Sequence, residues 1–411
     1  MSTTDTTTSA AIKAIEGGIA APSGFKVAGI ACGIKASGAP DLALIVSDRA
    51  ASMAAVFTTN LAKAAPILVS RDNLQRSGGR GRAVVVNSGC ANACTGSDGM
   101  EHARAMVADT ATAIGCKPEE VLVASTGVIG VKLNMTRVSA GIRTATTQLS
   151  ASAGAAAAKA IMTTDPFPKE ASVEASIAGR SVKVGGIAKG SGMIEPLMAT
   201  MLGFVTTDAD VSPELLQRAL AEVVNETFNA ITVDGECSTN DCVFALANGS
   251  SGATVTEASL PQFVAALRAV CEPLAIGVVR GGEGATKLIT VRVTGAVSND
   301  DARRTARAIA NSPLVKTAVH GGDPNWGRLI AVAGRSGSAF NLDGAAVRIG
   351  KVLLFKDGVP YDDRAPEAAT YLKARDIDIE VDLGTGGNGC SHMWTCDFSA
   401  EYVRINAEYR T

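Results

Sequence analysis

Aromatic residues make up only 4% of this 411-residue chain, histidine occurs three times, and Lys+Arg (38) nearly cancel Asp+Glu (40). Each scarcity removes a class of function. A formal net charge of −2 gives no electrostatic case for a nucleic-acid or membrane-surface partner. Uninterrupted apolar runs fall short of the roughly 20 residues of a membrane span. The first residues, Met1 to Ala11, are rich in Ser and Thr but hold no Lys or Arg, so they read as neither a secretory signal nor a transit peptide. Nine cysteines, an odd number scattered along the chain, fit reduced thiols in a cytoplasm better than a disulfide framework. With only His102, His320 and His392 available and no GxSxG elbow, a Ser-His-Asp triad has no support.

Glycine and small apolar residues are abundant instead: 43 glycines, and 46% hydrophobic residues overall. That composition belongs to a well-buried globular protein, long enough for two large domains. Ser212-Pro213-Glu214 predicts a capped helix carrying Leu216, Leu220, Val223 and Val224, and Ser259 with Pro261 opens another. Helical spacing also runs through Glu101–Ile114, Arg137–Leu149 and Asp300–Ala310, and the alanine-rich stretch 151–160 predicts a further helix. Strands are predicted at Leu42–Val46, Ala83–Val86, Val121–Val123, Lys287–Val291, Val347–Ile349, Ile377–Val381 and Tyr402–Ile405. The alternation predicts an α/β fold: sheets sandwiched by helices in a larger N-terminal domain (residues 1–284), then a smaller α+β domain (285–411) with fewer helices.

Two glycine-rich stretches are set aside. Gly384 to Gly389 matches GxGxxG, but too little chain follows for a βαβ unit, so a turn is expected. Gly281 to Lys287 fails the spacing of a phosphate loop. Cys390, His392 and Cys396, like Cys90 and Cys94, lack the paired knuckles of a structural zinc site. No metal or other cofactor is expected.

The segment Lys189-Gly190-Ser191-Gly192-Met193-Ile194-Glu195-Pro196-Leu197-Met198-Ala199-Thr200 carries the chemistry. If the Thr200 hydroxyl attacks the Ala199 carbonyl, the amide becomes an ester, and hydrolysis frees the α-amine of Thr200. With a pKa of roughly 7.7–8.0, that amine is a usable base near neutrality. One residue then holds both nucleophile and base. The dipeptide alone fits a plain buried apolar stretch equally well. Four loops strengthen the catalytic reading: Val86–Gly96, Ala124–Gly130, Asp234–Asp241 and Gly321–Arg328, all rich in glycine and small polar residues. Together they predict one polar cleft on an α/β frame. A glycine N–H beside a threonine hydroxyl supplies an oxyanion hole, worth roughly 2.7–4 kcal/mol per donor.

KGSGMIEP followed by MATML, together with STGVIG, MTTD, GEGATK and DPNWGR, resemble the glutamate N-acetyltransferase (ornithine acetyltransferase) family of arginine biosynthesis over nearly the whole chain. The resemblance implies self-cleavage between Ala199 and Thr200 into an α chain (1–199) and a β chain (200–411) that stay together, usually as α2β2. It implies that Thr200 takes the acetyl group of N-acetyl-L-ornithine and passes it to L-glutamate. Acetyl-CoA is a further possible substrate. Thr126 and Gly127 correspond to the oxyanion hole, and Thr163, Lys189, Thr200, Glu283, Asn406 and Thr411 to substrate contacts. Lys189 and Thr163 suit an α-carboxylate, and Glu283 a substrate ammonium. Leu197 and the stretch Cys390–Cys396 depart from the family pattern. The competing readings are an aminopeptidase or amidase with the same N-terminal nucleophile, and an unprocessed binding protein.

Overall fold

The computed structural model describes residues 12–195 and 201–408; Met1–Ala11, Ala199, Thr200 and Thr411 lie outside the described residues. Nine strands form the first sheet: β1 Lys13–Ala14, β2 Phe25–Ile30, β3 Leu42–Phe57, β4 Arg80–Cys90, β5 Val121–Val128, β6 Lys169–Ile177, β7 Arg180–Lys189, β8 Leu202–Thr207 and β9 Cys242–Ala247. Their order is β1-β6-β7-β8-β9-β3-β4-β5, with β2 on the free side of the first half of β3. Only β4·β5 and β8·β9 are parallel. Ala83 to Val86 and Val121 to Ala124 are wholly enclosed. This is why those strands read as unbroken apolar runs, since both faces of the sheet are covered.

The covering helices are α1 Ala65–Arg76, α2 Gly96–Ile114, α3 Met135–Thr147, α4 Gly154–Ala160, α5 Pro213–Glu226 and α6 Leu260–Arg280. In α5 the Ser212 side chain accepts the Leu215 N–H, Pro213 occupies the first turn, and Leu216, Leu220, Val223 and Val224 face inward. Helix α6 is long and apolar enough to cross a membrane. Here it is a core helix, with Phe263, Leu267, Val270 and Leu274 buried and packed on β6, β7 and α5.

A second sheet of six strands comprises β10 Leu288–Ala296, β11 Ala346–Ile349, β12 Val352–Lys356, β13 Val359–Pro360, β14 Asp376–Asp382 and β15 Gly389–Cys396, in the order β13-β12-β11-β14-β10-β15. The glycines from 384 to 389 form the turn from β14 to β15. Helices α7 Asn299–Ala310, α8 Pro313–Gly321, α9 Trp326–Gly334, α10 Ala365–Tyr371 and α11 Ala400–Glu408 accompany it, a higher share of helix than the sequence suggested. One hydrophobic cluster runs from Val182 and Leu216 to Val291 and Ile379, and so joins both sheets.

The strand predicted at Tyr402–Ile405 is instead part of α11. Its aromatic and β-branched residues Tyr402, Val403 and Ile405 favour a strand, but helix-forming Ala400, Glu401, Ala407 and Glu408 flank them. Arg404 pairs with Glu401 one turn before and Glu408 one turn after. Such pairs exist only at helical spacing.

Candidate active site

Strand β7 ends at Lys189, and Lys189 is the register partner of Leu202, the first residue of β8. Residues 190–201 therefore link two paired strand ends, next to the C-terminal ends of β4 and β5. A cavity of about 140 Å³ opens there, lined by Thr126, Gly127, Thr163, Lys189, Glu283 and Asn406 among others. All six site residues expected from the sequence that fall within the described residues thus meet in one place. Met201 and Leu202, which directly follow Thr200 in the chain, line it as well.

Three of the four expected loops reach this cavity, through Ala91, through Thr126 with Ile129, and through Asp234 to Asp241. The fourth does not. Gly321–Arg328 opens α9, where the Asn325 side chain caps the Arg328 N–H and Trp326 stacks on Phe355 at 5.0 Å. Its small polar residues serve a helix start, so composition alone misplaced it.

At the β5 end, Lys189 Nζ donates to Thr126 Oγ1 at 3.2 Å, although Lys189 is only 8% exposed. Gly127 follows with φ +128°, and a Cβ there would overlap the backbone of Gly89 and Cys90. Gly127→Ala is therefore expected to separate β4 from β5, lowering Tm by several degrees and reducing activity together. Calorimetry with an activity assay checks both; an unchanged Tm would contradict the close approach. Asn240 ties the neighbouring loops together, since its Nδ2 donates to the carbonyls of Ala91 and Ser125.

The described part of the linker after Lys189, residues 190–195, is held by hydrogen bonds. Ser191 Oγ donates to the Gly281 carbonyl at 2.6 Å. Asp234 accepts the N–H groups of Met193 (2.6 Å) and Ile194 (2.7 Å). The Glu195 N–H donates to the Glu236 carbonyl at 2.8 Å, and the Glu195 carboxylate is met by Asn311, Thr232 and Arg307. Beside the linker, Glu283 accepts from Asn406 Nδ2 at 2.8 Å, which joins the turn after α6 to α11. Gly192 lies against that carboxylate, leaving no room for a side chain.

Asp165, Asp234 and Asp241 are acidic residues of the site that sequence reasoning did not single out, though each lies at the end of a motif or loop already noted. Asp165 is buried, and its Oδ1 accepts from Lys169 Nζ (2.6 Å) and the Gly190 N–H (2.7 Å). Its Oδ2 accepts the Thr163 N–H at 2.9 Å. One carboxylate thus fastens both segments that present Thr163 and Lys189. Burial works against its ionisation, but Lys189, Lys169 and the Thr163 N–H outweigh that and hold its pKa down to about 2. Asp241 is the opposite case. Burial pushes its carboxyl well above the usual range despite Lys189 and Ser238, and its Oδ2 has no partner among the described residues. Burial thus favours the protonated form of this carboxyl, and a protonated carboxyl is a hydrogen-bond donor at the cavity it lines.

Residues 26–411 match the ArgJ family. An arginine biosynthesis bifunctional protein ArgJ from a Synechococcus strain is 49% identical over 414 residues, spanning 98% of this chain and 99% of its own length. The protein of the same name from Chlorobium chlorochromatii is 51% identical over 392 residues, 95% of this chain and 91% of that one. A crystal structure of the arginine biosynthesis bifunctional protein argJ from Bacillus halodurans is 46% identical with a TM-score of 0.50, covering 51% of this chain and 100% of that chain. With the matched region containing every residue that lines the cavity, the chain belongs to the ArgJ family.

Proposed function

We propose that this protein is an acetyltransferase of arginine biosynthesis that moves an acetyl group from N-acetyl-L-ornithine to L-glutamate through an acetyl-Thr200 intermediate. The observation that carries this reading is the cavity itself. It gathers Thr126, Gly127, Thr163, Lys189, Glu283 and Asn406 beside the residues that follow Thr200. The Bacillus halodurans chain matches in full about half of this one, a length of the order expected for one cleavage product.

In the reaction, the freed α-amine of Thr200 takes the hydroxyl proton as Oγ1 attacks the acetyl carbonyl. The Thr126 hydroxyl and Gly127 N–H stabilise the negative oxygen of the tetrahedral intermediate. Ornithine leaves with the proton, and the amine of glutamate attacks the acetyl ester in the reverse sense. Lys189 and Thr163 receive the α-carboxylate common to both amino acids. Glu283 receives the ammonium of the ornithine side chain, and Asn406 and Thr411 close the cavity with neutral groups. No metal or other cofactor takes part in this scheme; acetyl-CoA, consistent with the "bifunctional" name of the relatives, is a second acetyl donor. The products of cleavage stay associated, as α2β2, in the cytoplasm. All nine cysteines are free thiols, which suits a reducing compartment.

The test is turnover of N-acetyl-L-ornithine by purified protein with and without L-glutamate. Release of ornithine that depends on glutamate, with stoichiometric N-acetylglutamate, is expected. Equal release without glutamate would assign an amidase instead. Lys189→Met is expected to raise KM for both amino-acid substrates by roughly tenfold or more, the loss of one charge-assisted hydrogen bond. Steady-state kinetics checks this, and an unchanged KM would remove Lys189 as the carboxylate anchor.

A further inference from the structure

A second cavity of about 550 Å³ shares no lining residue with the first. It lies between the C-terminal end of α5 and α6 on one side and β10, α7 and β15 on the other. Three guanidinium groups line it, from Arg268, Arg292 and Arg303, with the imidazole of His392. Arg292 and His392 are direct partners across the antiparallel β10·β15 ladder.

Internal pairing leaves this wall positive. Arg268 pairs with Glu226 through Nη2, and Arg303 Nη1 donates to the Asn225 amide oxygen at 2.8 Å. Glu272 is the remaining carboxylate on the lining, set against Arg292 and Arg303. Two polar atoms in the same wall are enclosed without a hydrogen-bond partner among the described residues: Nε of Arg268 and Nε2 of His392. Each orphaned buried polar group costs about 1–3 kcal/mol, so two together call for a partner from outside the chain. Water would satisfy the donors but not the charge. The volume is that of a small-molecule site.

We propose that this cavity binds a small oxyanion, carboxylate or phosphate in kind, held by the Arg268 Nε–H, the Arg292 and Arg303 guanidinium groups and a protonated His392. Planar guanidinium forks match both oxyanion types, and a fixed imidazolium adds a fourth donor. In the empty cavity, burial and the nearby Arg292 and Arg303 hold His392 below its ordinary pKa, with Glu226 opposing them. A bound anion reverses that balance, so binding takes up a proton at His392 and weakens as pH rises. The charged and titratable groups that line the cavity with the imidazole are Glu226 of α5, Arg268 and Glu272 of α6, Arg292 of β10 and Arg303 of α7, with Cys390 on its own strand; of these, Arg292, Arg303 and Glu226 act on its charge.

The experiment follows the His392 ring by NMR in the whole purified protein, assigned by loss of its signal in His392→Gln. Inorganic phosphate and succinate are titrated separately. A saturable rise in the His392 pKa with either probe, and about tenfold weaker binding in Arg292→Gln, are expected; the probe that binds tighter names the anion class. No saturable response to either probe, or an unchanged affinity in Arg292→Gln, overturns the proposal. So does a change in assembly mass caused by Arg292→Gln, which would assign the cavity to a subunit contact. Acetyl transfer measured in parallel on Arg292→Gln keeps this result separate from the active-site reading.

Discussion

Thr200→Ala protein is expected to run as one intact 41.7 kDa chain and to lose acetyl transfer by roughly 10⁴-fold or more, the scale seen when a hydroxyl nucleophile is deleted. The substitution acts twice. Without the hydroxyl, nothing attacks the Ala199 carbonyl and no ester forms. Without cleavage, the nitrogen of residue 200 stays an amide, which is no base. Thr200→Ser separates the two effects, since serine keeps the hydroxyl; it should give two chains and partial activity. Intact-mass measurement and the acetyl-transfer assay decide the matter. Two chains from Thr200→Ala, or transfer at the parent rate, would disprove the nucleophile assignment.

Asp165→Asn is expected to cost about 3–5 kcal/mol of stability, because removing one partner of a buried ion pair strands the other. Lys169 is 4% exposed and Lys189 8% exposed, and both face this carboxylate. Burial opposes charge on both members of the Asp165–Lys169 pair. It is overcome at Asp165, which meets two ammonium groups and two backbone N–H groups, and prevails at Lys169, whose pKa falls below its ordinary value. The pH dependence has a definite sign. A carboxyl whose folded pKa is about 2 and whose ordinary value is 3.8 contributes its full stability above about pH 4 and loses it as pH falls toward 2. The acid limb of a stability–pH curve should therefore be shallower in Asp165→Asn than in the parent. KM should rise in the same variant, because Thr163 and Gly190 lose their common anchor. Denaturant unfolding across pH, with kinetics at neutral pH, tests this; a loss below about 1 kcal/mol would show that Asp165 is not the fastening point.

Much of the site was legible because its parts are local. Ser212 and Pro213 announce α5 by chemistry within four residues, and Thr126-Gly127 needs only a strand end and a glycine with positive φ. The residues that hold the parts together were not legible as such. Asp165 meets Gly190 across 25 residues, Asp234 meets Met193 across 41, and Asn240 meets Ala91 across 149. Nothing in a polar loop residue tells which distant N–H or carbonyl it will satisfy. Gly321–Arg328 failed for the converse reason, since a helix cap and a catalytic loop draw on the same residue types. Tyr402–Ile405 failed because β-branched and aromatic residues over four positions are too short a run to set a period, and the pairing of Arg404 at helical spacing prevails.

The strand order of the first sheet would give the proposed cut at Ala199–Thr200 a particular outcome. Strands β1 to β7 precede the proposed cut and β8 and β9 follow it, yet β8 and β9 sit between β7 and β3. Hydrolysis would convert one chain into two that are interleaved, each closing the other's sheet through two full ladders of backbone hydrogen bonds. Neither product could leave without exposing unpaired strand edges in the middle of the core. The two chains would then be partners by inheritance rather than by encounter. Their one-to-one ratio would be fixed at synthesis, and dilution would not separate them. Folding would then come first and scission second, and the peptide bond would become dispensable only after the sheet it helped to assemble is complete.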